Sequence, residues 1–473
     1  MSSINTETKQ KIETWFEQHK DEMICDLGKV IAVNSVRTAA EDGAPFGKGP
    51  REALARAAAM LESRGLEVNN FEDIIITADI GPQPPVMGIL AHLDVVDAGD
   101  GWNTDPYEMA IKDGKIYGRG TVDNKGPAIA AMYAMFCARD LCPKLKSGAR
   151  LILGSGEETG CTDIGQYISK NEAPPNVFTP DADYPVVNTE KGRAAVFFGT
   201  SWEKDVKLPR VVSLTGGKTI NIVPNRAEAV VEGFTINQLE TYCMISSAQT
   251  GAKIAVSAGE AGLTITAEGT STHAATPDLG VNAQTAILDM LSAIPFADSK
   301  AYDCIKALNR LFPHRDYYGK ALGVAMEDEI SGKLTLSFGV MRLTEYEFAG
   351  NFDSRTPACA DKVDLMGMIR EALDKEGIAI TNSNMSTCHH TPGDSLFIRT
   401  LLGIYEDYTG NAGECLAIGG QTYVHNIEGG VAFGCEMPGI ENHIHGANEF
   451  IGVEQLVVSA KMFAHTIIEM CGN

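Results

Sequence analysis

The chain has 473 residues, a formal net charge of −23 and 44% hydrophobic residues. That length exceeds what a single core usually organises, so two domains are expected, and so acidic a balance argues against nucleic acid and anionic membrane as partners. No run reaches transmembrane length, the first eight residues lack the basic and apolar regions of a secretory leader, and eleven cysteines occur without a Cys-x-x-Cys pair, so a cytoplasmic protein with reduced cysteines is expected.

The first predicted element is a helix over about 10–32, where Ile12, Trp15, Phe16, Met23, Leu27, Val30 and Ile31 recur at i, i+3, i+4 spacing. A second helix runs from about Glu52 to Arg64, with Gly65 at its end. Strands and helices then alternate: a strand at about 86–92, a helix at 126–139, a strand at 149–153, a helix near 162–170 and a strand at 177–180. This alternation predicts an α/β domain with a mainly parallel central sheet flanked by helices and with chemistry at the carboxyl ends of the strands. After Lys191-Gly192-Arg193 the pattern changes. Strands such as Ala194–Phe198, Ala227–Gly233 and Leu334–Val340 mix with helices near 282–293 and 364–375, which reads as an inserted α+β domain. The α/β pattern resumes with a helix at about 395–408, strands near 415–418 and 430–434, and a last helix from Val453 to Met470. The expected division is a split first domain, 1–192 and 390–473, around an insert at 193–389.

The polar residues that end these runs carry the chemistry. Val86-Met87-Gly88-Ile89-Leu90 leads directly into His92 and Asp94, and Gly118-Arg119-Gly120-Thr121-Val122-Asp123-Asn124 follows about thirty positions later. Leu151-Ile152-Leu153 ends in Glu157-Glu158, where one carboxylate can bind metal and its neighbour can move protons. Asn176-Val177-Phe178-Thr179-Pro180 ends in Asp181, with Asp183 as a competing donor. Near the C-terminus His443-Ile444-His445 precedes Asn448-Glu449, and either histidine could serve. A mixture of imidazole and carboxylate without thiolate suits zinc, manganese or cobalt. Gly419-Gly420-Gln421-Thr422-Tyr423 is not a phosphate loop, since no Gly-Lys-Ser/Thr follows.

With these residues in place, the chain resembles the co-catalytic metallopeptidases that include aminoacylase, carboxypeptidase G and succinyl-diaminopimelate desuccinylase, and within them the PepV-type dipeptidases. The resemblance extends from Asn34-Ser35-Val36-Arg37 to Asn448-Glu449. It implies that Asp123 bridges two divalent metal ions, zinc first and manganese or cobalt as alternatives. His92 and Asp181 would complete one metal shell, Glu158 and His445 the other. It further implies that Glu157 is the general base, that Asp94 orients His92, and that the Asp123–Asn124 peptide is cis. In the insert, read as a lid of two similar halves, His273 of Gly269-Thr270-Ser271-Thr272-His273 would donate to the oxyanion. Asn221 would support the same carbonyl or the substrate carboxylate, Arg355 would grip the substrate carboxylate, and Gly420 and Thr422 would line the site. Hinges would lie near Lys191-Gly192-Arg193 and His390-Thr391-Pro392-Gly393, the Cys388-His389-His390 cluster being hinge loop and not a metal site.

Two departures are visible. Asn124 stands where many relatives carry a second Asp, and Val424-His425 stands where Ala-Arg is commoner. The expected function is a dipeptidase acting on short peptides, Xaa-His or carnosine-like dipeptides included, in a monomer with a dimer as alternative. An N-acyl amino acid deacylase of the same family and a non-catalytic metal-binding scaffold are the competing readings.

Overall fold

The computed structural model describes residues 6–472. Residues 1–5, on which the leader reading partly rests, lie outside that range. Among the described residues no helix is long and apolar enough to cross a membrane. The chain forms two compact units. The first comprises Met1–Thr189, His390–Leu416 and Gln421–Asn473; the second comprises Glu190–His389 and Ala417–Gly420.

The first unit is built on a sheet whose neighbouring strands are Val68–Phe71, Ile75–Ile80, Gly148–Gly154, Pro85–His92, Asn176–Thr179 and Val431–Ala432. The last four of these run parallel, and antiparallel strands flank them. Parallel strands are covered on both faces, which is why Met87 to Ala91 and Leu151 to Gly154 read as continuous apolar runs. Successive residues still alternate between the faces. Ile89, Leu151, Leu153 and Phe178 enter the main core beneath helices Thr6–Ile31, Lys125–Leu141 and Val453–Cys471, whereas Leu90, Ile152 and Val177 meet Ile164, Tyr167 and Tyr423 on the other side. Helix Lys125–Leu141 is buried on every side from Lys125 to Ala138, so it is alanine-rich and apolar all round.

The second unit is α+β. Its eight-stranded sheet is antiparallel throughout, in the order Lys253–Gly259, Gly262–Glu268, Arg226–Glu232, Arg210–Gly216, Thr335–Leu343, Glu347–Thr356, Gly192–Ser201 and Ala379–Ser386. The two groups of four strands pair with each other through Leu214–Gly216 against Met341–Leu343. Helices Ile236–Thr250 and Ala283–Ala293 pack with the first group, and Leu365–Lys375 packs on Ala379–Ser386 at the far edge. Helix Ile236–Thr250 escapes sequence reading because it buries only Leu239, Cys243, Ser246 and Thr250 while Met244 and Ile245 face solvent, so its apolar residues do not mark its inner face.

Phe178 is fully buried between Phe433 and Phe463, with ring centroids 5.7 and 5.1 Å away. Phe178→Ala removes that ring from the core behind a strand end and should cost about 3–5 kcal/mol. Urea unfolding of the first unit's transition checks this, and a loss below ~1 kcal/mol would show that the core collapses around the gap.

Candidate active site

Five donors converge in the first unit at the carboxyl ends of its parallel strands and in the loops beside them. His92 ends strand Pro85–His92. Its Nδ1 lies 3.0 Å from the carbonyl oxygen of Asp94, so the proton is held on that side. Nε2 then faces Asp123 Oδ1 at 3.1 Å and Asp181 Oδ2 at 3.5 Å. On the other side of Asp123, Oδ2 lies 2.9 Å from His445 Nε2, which is itself 3.2 Å from Glu158 Oε2. His92, Asp123 and Asp181 thus form one triad and Asp123, Glu158 and His445 another, each within the span of a single cation, with Asp123 common to both. Asp183 and His443 belong to neither. Buried His92 Nε2 and Glu158 Oε1 have no hydrogen-bond partner, although carboxylates stand close to the imidazole. Ligands aimed at a common point leave such orphaned atoms, so the donor set fits two divalent cations.

The surrounding loops are held by carboxylates that are not donors in either triad. Asp94, fully buried, accepts from the amides of Glu157 at 3.2 Å and Glu158 at 3.1 Å. It is the carbonyl of Asp94 that makes the short contact with His92; the carboxylate, 3.4 Å from Nδ1, spends itself on the glutamate turn. Glu449 accepts from the amides of Gly120, Val122 and Asp123 at 3.1, 2.9 and 3.3 Å and from Arg119 Nη1 at 2.6 Å. Arg119 Nη2 also donates to the carbonyl of Gly446 at 3.1 Å, which ties the Asp123 loop to the His445 loop. That second loop is strained: His443, His445 and Asn448 all have φ near +60°. Asn124 supplies the remaining link. Its Nδ2 donates to Asp181 Oδ1 and to the carbonyl of Pro180, both at 2.9 Å, where an aspartate would set two carboxylates against each other. The Asp123–Asn124 peptide is cis.

Crowding shifts the titrations. Burial, with the negative charge of Asp181 beside it, raises the Glu157 carboxyl well above the ordinary range. Burial and Asp123 push Glu158 up to about 7. Burial opposes protonation of both imidazoles, but Asp181 and Asp123 outweigh it at His92, and Asp123 and Glu158 raise His445 to about 11. Burial works against the charge of Asp123, but the nearness of the His445 and His92 imidazoles outweighs it and holds that carboxyl below the ordinary range.

The other expected residues lie mostly in the second unit. Exposed His273 pairs as a β-bridge with Ile222, beside Asn221, whose carbonyl accepts from Ala274 at 2.9 Å. Arg355 is 5% exposed; its Nε donates to Asp353 Oδ1 at 2.8 Å and its Nη1 to the carbonyl of Gly419. A Cβ on Gly419 would come within 2.7 Å of Ala275, so glycine lets this loop approach the His273 segment. Gly420 groups with the second unit and Thr422 with the first, where Thr422 Oγ1 accepts from Val424 at 3.4 Å and caps a short turn. His390 meets Thr189 through Nδ1 at 2.8 Å. Sequence reading assigned no role to Asp163, Tyr423, Arg119 or Glu449. All but Asp163 stood in quoted motifs, and nothing local marks a buried acid as a loop clamp.

A family model described as Peptidase family M20/M25/M40 matches residues 88–469. The chain belongs to that family. The Beta-Ala-Xaa dipeptidase of Lactobacillus delbrueckii subsp. lactis is 32% identical over 467 residues, covering 96% of this chain and 97% of the relative. Among solved structures, human carnosine dipeptidase 1 superposes with a TM-score of 0.58 at 16% identity, covering 99% of this chain and all of that one. The aminoacylhistidine dipeptidase of Vibrio alginolyticus gives 0.56 at 14%, covering 95% and 96%. The protein is therefore a hydrolytic metallopeptidase of the dipeptidase kind, whose family implies divalent metal ions.

Metal binding should release protons. In the metal-free protein the raised imidazoles hold their protons at neutral pH, and a cation needs the neutral ring, so apparent affinity rises with pH until the His445 proton is gone at about 11. Calorimetric titration with Zn²⁺ at pH 7 in buffers of different ionisation enthalpy checks this: the heat should vary with the buffer, and a buffer-independent heat would contradict it.

Proposed function

We propose that the protein hydrolyses dipeptides with a free α-carboxylate, Xaa-His and β-alanyl dipeptides included, at a two-metal site with Glu157 as general base. The observation that carries this reading is the sharing of Asp123 between two His/carboxylate triads, with a half-buried glutamate of raised pKa next in sequence to Glu158. His92 and Asp181 would hold one cation, Glu158 and His445 the other, with Asp123 between them. Bound there, the pair would supply Lewis-acid polarisation of water and of the scissile carbonyl. The 32% identity to a Beta-Ala-Xaa dipeptidase supports the substrate class.

The remaining steps belong to side chains. Glu157, neutralised readily because its carboxyl is desolvated and has Asp181 beside it, takes the proton of the attacking water and returns it to the leaving amine nitrogen. His273 donates to the oxygen that gains charge as the carbonyl becomes tetrahedral. Arg355 holds the substrate carboxylate, steered by Asp353 and by its bond to the Gly419–Gly420 loop.

A substrate panel of free dipeptides against N-acyl amino acids tests the class. Hydrolysis confined to the acylated compounds would make the protein a deacylase, and a metal-loaded protein inert on both would make it a binding scaffold. Glu157→Gln should lower kcat by about 10²–10⁴-fold with both metals retained. His273→Ala should lower kcat by roughly 10²–10³-fold with metal affinity unchanged; near-normal turnover would remove that histidine from the reaction.

A further inference from the structure

Behind the tandem glutamates lies a buried polar cluster that the reaction above does not use. Strand Gly148–Gly154 ends in a turn, Ser155–Gly156, which delivers Glu157 and Glu158. The amides of Ser155 and Gly156 both donate to Asp163 Oδ2 at 2.8 Å, and the amide of Ile164 donates to Asp163 Oδ1 at 2.8 Å. The hydroxyl of Tyr423 donates to the same Oδ2 and lies 3.3 Å from the Gly156 amide, which donates to it. Asp163 and Tyr423 are both fully buried. The ring of Tyr423 meets the imidazole of His92 edge-on, centroids 6.1 Å apart at 87°. Gly154 is shaped by the same pair: a Cβ there would come within 2.2 Å of the Tyr423 hydroxyl and 2.6 Å of Asp163 Oδ2.

Packing alone does not ask for a tyrosine here. A phenylalanine would fill the same space without burying a hydroxyl, which is costly unless it is bonded. The hydroxyl is placed where it touches both the acid that grips the turn and the turn's own amide, while the ring touches a metal-triad histidine. We infer that Tyr423 is a positioning residue for the general base. Through Asp163 and Gly156 it holds the Glu157 turn, and through its ring it refers that turn to His92 of the first triad. Tyr423 also follows directly on Gly419–Thr422, so the loop read as substrate-lining departs from the same anchor. This inference rests on Glu157 being the base of the proposed reaction.

Tyr423→Phe keeps the ring and removes the hydroxyl. Zinc stoichiometry and affinity by calorimetry, melting temperature, and kcat and KM on a dipeptide per metal-loaded site should be measured together. The expected result is kcat lower by about 10–100-fold, the range seen when an outer partner of a site is removed, with KM and both metal affinities within about threefold of the parent. Asp163→Asn should show the same split, and the double variant should be little slower than the worse single one, because both act through one link. An unchanged kcat per loaded site, with or without a lower melting temperature, overturns the inference, as does a kcat loss matched by an equal loss of metal affinity. Should Tyr423→Phe fail to fold, Asp163→Asn decides by the same criteria. Hydrogen exchange separates this inference from the reaction itself. In Tyr423→Phe the Ser155 and Gly156 amides should lose protection even if the parent hydrolyses no dipeptide, and unchanged protection there would refute the positioning role.

Discussion

The constraint on which the rest of this structure depends is the gathering of carboxylates at one edge of the first unit. Asp123, Asp181, Glu157 and Glu158 stand together, with Asp94, Asp163 and Glu449 buried just behind them. Two like charges 4 Å apart repel by about 4 kcal/mol at the effective dielectric of a protein surface, so such a set does not assemble without compensation. Two imidazoles and the cations implied by the family offset the front row. The back row is offset mainly by neutral donors: backbone amides for Asp94, amides and a phenol for Asp163, and three amides plus Arg119 for Glu449.

That compensation also explains the geometry. A carboxylate satisfied by the amides of another loop is a clamp on that loop. Asp94, just past His92, holds the glutamate turn; Glu449, just past His445, holds the Asp123 loop; and Asp163 holds the turn from behind. The glutamate turn and the Asp123 loop are each held by a residue delivered from elsewhere in the chain, which suits a site that must keep its geometry to a fraction of an ångström. Burial, together with the same crowding, raises the Glu157 carboxyl.

The second unit follows a different logic. His273 is exposed and carried on a β-bridge, whereas Arg355 is buried with two of its donors already committed. The Ala417–Gly420 segment, which comes late in the chain, groups with this unit because Gly419 lets the backbone close on Ala275 and Arg355. No composition shift marks those four residues.

What the amino-acid sequence determined by itself is local. Alternating strand and helix periodicities reveal the parallel sheet, and abrupt polar residues after apolar runs reveal His92, the Glu157–Glu158 tandem and Asp181, because both signals are written within a few consecutive positions. Helix Ile236–Thr250 stayed hidden, since its exposed methionine and isoleucine blur the very period that would reveal it. Only the tertiary structure decided that Asp123 faces both histidines, that the Asn124 amide turns toward Asp181, that the Asp94 carboxylate serves Glu157 and Glu158 more than His92, and that Tyr423 lies buried against Asp163. Those are bonds between residues far apart along the chain. Their energy depends on distance in space, which leaves no period and no motif in the order of the residues.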